Sequence, residues 1–129
     1  MSNPDDPREW LAKAGSDLLC IDNNLGAERV PFDAVCFHAQ QAAEKAMKGL
    51  LALRGKVIPR THDLLALLDA CSQAGVSVES MRSDAYFLNP FSVAARYPGL
   101  APDPDETIAR QASDAAKRVV DAATAMIGG

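Results

Sequence analysis

Between residues 35 and 53 the apolar positions gather on one side of a helix. At about 100° per residue, Val35, Ala39, Ala42, Ala46, Leu50 and Leu53 share a face. Cys36, Ala43, Met47 and Leu51 widen that face past half the circumference, and Phe37, His38, Gln41, Glu44, Lys45 and Lys48 share the narrow remainder. A surface helix ordinarily buries a stripe of roughly 100°. This segment is therefore expected to be central, covered by a core and also by a second partner. Its polar strip is the first place to look for function.

The flanking segments carry helical spacing with clear punctuation. Asp6-Pro7-Arg8-Glu9 reads as an N-cap Asp, a Pro at the first helical position and a Glu closing a capping box. Leu11, Ala14, Leu18, Ile21 and Leu25 follow as a stripe, with Trp10 beside them, and Gly26 and Pro31 mark the next connection. The second helix is expected from about Phe32 to Arg54, with Gly55 as its stop. Thr61 is the expected N-cap of a third helix, with Asp63 in a first turn where the helix dipole favours an anion. Leu64, Leu65, Leu67, Leu68 and Cys71 form its buried side, and Gly75 ends it. A fourth segment starts near Ser77 and runs to Asn89-Pro90, where the proline disfavours helix at the residue before it; Phe91 to Arg96 add a turn or two. After a loop at Tyr97-Pro98-Gly99, Asp103-Pro104-Asp105-Glu106 repeats the opening punctuation, with Asp103 as the cap. Ile108, Ala112, Ala115, Val119, Ala123 and Met126 supply the last stripe. No run alternates strictly, as a half-buried strand does. The prediction is an all-α fold, an antiparallel up-and-down bundle of four main helices plus a short or broken fifth segment, in a single domain over residues 1–129.

Composition narrows the function. The 129 residues suffice for one domain with a moderate core. With 13 Lys and Arg against 17 Asp and Glu, the chain lacks the basic field that concentrates nucleic acid, so nucleic acid is not an expected partner. No apolar run reaches the length of a membrane span. The polar, acidic start from Met1 to Pro7 does not read as a signal peptide. A cytoplasmic location with no membrane association is expected. Cys20, Cys36 and Cys71 are odd in number and widely spaced, and are read as buried, reduced thiols. With only two histidines there is no zinc spacing. No Gly-rich phosphate loop or nucleophile elbow is present. No metal, cofactor or catalytic residue is assigned.

Three clusters carry candidate binding chemistry. Gln41, Lys45 and Lys48 lie with Glu44 on the polar strip, as a seam at a subunit interface or pocket with the lysines as anion donors. The plain alternative is a solvated Glu44–Lys48 pair worth roughly 0.3 kcal/mol. His38, beside Ala42 and Gly49 on the wheel, reads as structural. His62-Asp63 stands at a helix start, either as capping alone or with His62 and free backbone N–H groups facing an anion. Arg96-Tyr97 precedes the last helix; Arg can grip a phosphate or carboxylate bidentately, and Tyr can stack on a base.

These segments resemble the HEPN domains (higher eukaryote and prokaryote nucleotide-binding). The stretch from Phe37 to Lys48 is similar to the second-helix signature of the small stand-alone prokaryotic members, and Trp10 and Asp17-Leu18 also fit. Thr61-His62-Asp63-Leu64 and Arg96-Tyr97-Pro98 match that group's later landmarks in order. The resemblance implies a helical bundle, usually a homodimer, often paired with a minimal nucleotidyltransferase in a toxin–antitoxin-like or stress module. It also implies a nucleotide ligand. Many members are metal-independent ribonucleases, whose site needs an Arg followed after four to six residues by a His. Here Tyr97-Pro98-Gly99-Leu100-Ala101-Pro102 follows Arg96, with no later histidine, and Arg60 precedes His62 by one intervening residue. The nuclease pair is absent as a motif. The expectation is a dimeric, non-catalytic binding module. The alternatives are a divergent ribonuclease using His62 or His38, and a purely structural partner subunit.

Overall fold

The structure is a computed structural model that describes residues 3–94, 97–99 and 103–128. Six helical segments are present: α1 (Pro7–Leu25), α2 (Phe32–Leu53), α3 (Leu64–Gln73), α4 (Glu79–Leu88), α5 (Phe91–Ala94) and α6 (Glu106–Ile127). There is no strand among the described residues. The all-α bundle predicted from the sequence is the observed architecture.

Helix α2 is the axis of the bundle, in contact with all five other helices. Ala39, Ala42, Ala43, Ala46 and Leu50 are fully buried within a single copy of the chain. The wide apolar arc is thus covered by the chain's own helices, and its width is not an argument for a second subunit. Small side chains let the neighbours approach closely. A Cβ placed on Gly49 would lie 3.1 Å from Trp10 Cβ and 3.3 Å from the Pro7 carbonyl oxygen, so α1 crosses α2 where α2 has no side chain.

The helix starts are set by carboxylates, at positions that sequence punctuation locates only in part. Asp6 caps α1 and accepts from the Arg8 N–H at 2.9 Å. Glu9 does not close the box onto Asp6; it accepts from the Asn3 N–H instead. The α3 cap is Asp63 rather than Thr61: the Asp63 carboxylate accepts from the Leu65 and Ala66 N–H groups, while the Thr61 hydroxyl accepts from the Asp63 N–H. The α6 cap is Asp105 rather than Asp103, because Asp105 is the carboxylate that reaches the Ile108 N–H, at 2.9 Å.

The connection from α2 to α3 shapes the surface. Gly55, at φ +67°, turns the chain in a conformation that side-chain-bearing residues rarely adopt. Residues 56–63 then return along α2, so that His62 meets Gln40 and Glu44, and Cys71 lies against the Met47 carbonyl. Asn89, beyond the end of α4, accepts from the Leu64 N–H at 2.8 Å and donates to Asp63 at 3.2 Å. The Asn89-Pro90 break thereby fixes the entry into α3. No helix among the described residues is long and apolar enough to cross a membrane.

Candidate functional site

Along the polar strip of α2 stand two buried carboxylates, one from α1 and one from α2, each bound to one histidine and one lysine. Asp17 comes from α1 and is 6 % exposed. Its Oδ1 lies 2.9 Å from His38 Nδ1, and its Oδ2 accepts from Lys45 Nζ at 2.6 Å. Glu44, on α2, is 4 % exposed. Its Oε1 lies 2.8 Å from His62 Nδ1, and its Oε2 accepts from Lys48 Nζ at 3.0 Å. Both histidines of the chain are therefore oriented by carboxylates through the same ring nitrogen.

Local sequence explains how the two sets form. Glu44 and Lys48 are four apart on α2, as are Gln41 and Lys45. This spacing places successive turns in one strip. Asp17 enters from α1, which packs along one flank of α2, and His62 enters from the returning segment on the other side. Gln40 is fully buried and donates to the His62 carbonyl oxygen at 2.8 Å. Gln41 donates to the Gln40 side-chain oxygen at 2.7 Å and reaches Glu44 at 3.5 Å. Lys48 Nζ also stands 5.8 Å from the centre of the Trp10 ring, where the cation meets the negative face of the π-system.

The Glu44–Lys48 pair is not the solvated surface pair of the plain reading, since both side chains are nearly covered, at 5 % and 10 % exposure. Such a pair must be fully hydrogen-bonded to offset its desolvation, and here His62 and Gln41 supply further donors. Among the described residues no buried side-chain polar atom is left without a hydrogen bond. The two lysines are each paired with a carboxylate, Lys45 with Asp17 and Lys48 with Glu44. The N–H groups at the start of α3 are likewise taken, Leu64 by Asn89 and Leu65 and Ala66 by Asp63. No vacant helix-end anion site remains there.

Of the residues singled out by sequence, Gln41, Lys48 and His62 converge on Glu44, and Lys45 lies beside them on Asp17. Asp63 serves as a cap. Tyr97 is 60 % exposed and makes no hydrogen bond to this strip. Arg96 lies outside the described residues. Sequence reasoning did not single out Gln40 or Asp17 as site residues. Asp17 breaks the apolar stripe of α1, which is a signal; Gln40 sits between Met47 and Leu51 on the wheel and gives none.

Among the described residues no group of three His, Cys, Asp or Glu side chains could hold a metal ion. The thiols do not join the site. Burial, and for Cys36 also the charge of Asp33, pushes Cys36 and Cys71 up to about 11. Cys20 is exposed on α1, against the expectation of a buried thiol.

The chain was compared with known proteins. A family model for the HEPN domain matches residues 7–126. The crystal structure of TT1696 from Thermus thermophilus aligns with a TM-score of 0.81 at 29% sequence identity, covering 92% of this chain and 96% of that one. Curated proteins give no match. The profile spans nearly the whole chain, including α2 and the His62 segment, and so the chain belongs to the HEPN domain family.

Proposed function

We propose that this HEPN domain is a non-catalytic binding module that works as a homodimer and holds a minimal nucleotidyltransferase partner through the half-buried polar strip of α2 and the exposed His62 beside it, within a toxin–antitoxin-like or stress module. One observation carries the reading: Asp17 and Glu44 each bind one histidine and one lysine, and so line up four side chains in fixed positions with nearly balanced charge. A prearranged polar surface loses little side-chain freedom on docking, which favours complementary recognition. Because the lysines are already paired, the strip suits a protein partner better than capture of a free nucleotide by charge alone. A nucleotide-like anion remains the second ligand of the module, held at His62 and at Arg96-Tyr97.

The test is binding with the full chain. Calorimetry against any minimal nucleotidyltransferase found encoded beside it, and separately against ATP, should show association that weakens in Lys45→Ala and His62→Ala variants. Unchanged binding would place the interface elsewhere. Light scattering should give a dimer; a 13.7 kDa species at micromolar concentration contradicts the assembly.

A second reading has its own observation. His62 is 63 % exposed while its Nδ1 is held by a buried carboxylate, which is the arrangement of an oriented acid/base group. The second reading is a divergent metal-independent ribonuclease. RNA cleavage without metal, abolished in His62→Ala, selects it; absence of cleavage returns the module reading.

A further inference from the structure

The free face of the His62 ring has a chemistry beyond the contacts of the proposed binding surface. A carboxylate oxygen only accepts, so in the neutral ring Nδ1 carries the proton toward Glu44 and Nε2 carries the lone pair. The side chain is 63 % exposed, and Nε2 makes no hydrogen bond among the described residues. The ring is held from behind. Glu44 is fixed in turn by Lys48 at 3.0 Å, the His62 carbonyl by Gln40 at 2.8 Å, and the neighbouring Asp63 by Asn89 at 3.2 Å. A nucleophile aimed and immobilised in the ground state has less freedom to lose on reaction.

Arg60 is the second observation. It is exposed and forms no ion pair among the described residues. Thr61, half-buried, separates the exposed Arg60 and His62. That alternation is what an extended segment produces when residues two apart share a side. A guanidinium binds the oxygens of a phosphoryl group bidentately. An arginine with no ion pair among the described residues, close in sequence to an oriented imidazole, therefore favours an anionic electrophile such as a phosphoryl group over a neutral one.

We propose that His62 Nε2 is a phosphoryl-acceptor site, with Arg60 holding the phosphoryl oxygens, and that its donor is an activated phosphoryl compound of the acyl phosphate or phosphoramidate class. The Nε2 lone pair attacks phosphorus and an N–P bond forms. In an acyl phosphate the P–O bond breaks and its electron pair leaves with the carboxylate. In a phosphoramidate protonated on nitrogen the P–N bond breaks and ammonia leaves. The ring keeps its Nδ1 proton on Glu44, so the positive charge that develops faces a carboxylate. Nothing is oxidised or reduced, and no further reactant enters.

His38 is an internal comparison. Its Nδ1 is bound to Asp17, whose other oxygen carries Lys45, but its side chain is only 30 % exposed, and Cys36 stands two residues before it where His62 has Arg60. The carboxylate–lysine environment is shared; exposure and the arginine are not. The full chain would be incubated with potassium phosphoramidate and, separately, with acetyl phosphate. Modified sites would be mapped by tandem mass spectrometry kept out of acid. We expect His62 to be labelled at least about tenfold faster than His38 and than N-acetylhistidine in the same solution. Arg60→Ala should slow His62 about tenfold and leave His38 unchanged. Labelling by both reagents supports the shared chemistry, and labelling by one alone assigns the donor to that class. Equal labelling of the two histidines, a His62 rate no greater than that of N-acetylhistidine, or an Arg60→Ala variant that labels normally would overturn the proposal.

Discussion

Glu44 and His62, eighteen residues apart, meet at 2.8 Å, and this contact ties the middle of α2 to the chain entering α3. Because Glu44 also accepts from Lys48, one buried carboxylate serves both a histidine and a lysine. Removing it should leave Lys48 without its counter-charge. Glu44→Leu is expected to cost about 3 kcal/mol by urea unfolding. Adding Lys48→Met should recover most of that loss, since a buried pair replaced by apolar groups of similar volume is often neutral. If the single variant matches the wild type, the pair does not support the fold.

Gly49 gives a steric prediction. An added Cβ would sit 3.1 Å from Trp10 Cβ and 3.3 Å from a Pro7 backbone oxygen, tighter than ordinary contact. Alanine gains helix propensity and loses packing room, so the two effects nearly offset each other. A branched side chain cannot be placed. Gly49→Val should destabilise by about 2 kcal/mol while Gly49→Ala stays within about 1 kcal/mol of wild type. Thermal unfolding of the two variants measures the difference. A stable Gly49→Val protein would mean that α1 does not rest on α2 at this point.

The thiols predict a pattern with pH. Cys20 is exposed, whereas burial raises Cys36 and Cys71 from 9.0 to about 11. A thiol-specific reagent at pH 8 should modify Cys20 alone in the folded protein. The sign of the stability effect follows from proton binding. Between pH 9 and 11 the unfolded chain ionises these thiols while the folded chain keeps them protonated, so stability falls as pH rises. The loss approaches about 3 kcal/mol for each thiol. Replacing both with alanine should flatten the decline; an unchanged alkaline limb assigns it to other groups.

The sequence is a good guide where structure is local and a poor one where it is not. Asp6-Pro7 names the start of α1 because a cap and a proline act within one turn. Thr61 and Asp63 are both competent caps at the same place, and the choice of Asp63 depends on Asn89, which arrives from the end of α4. Local pattern cannot contain that partner. The polar strip is visible from helical spacing, yet its meaning is not. Lys45 becomes occupied only because Asp17 arrives from α1, and Gln40, seated among apolar neighbours on the wheel, is spent on the carbonyl of His62. Burial of Glu44 depends in the same way on a connection that folds back along α2. The broad apolar arc is a true signal of centrality, but the covering comes from five helices of the same chain.

The proposed surface for a protein partner is the half-buried polar strip of α2 organised by Asp17 and Glu44, with the exposed His62 beside it. Size-exclusion chromatography with light scattering, on the full chain mixed with any minimal nucleotidyltransferase found encoded beside it, tests this most directly. A stable complex is expected for the wild type and at least about a tenfold weaker one for the Lys45→Ala, His62→Ala double variant, with helical content unchanged. Separate elution of the two proteins, or a complex as stable with the double variant as with the wild type, would contradict it.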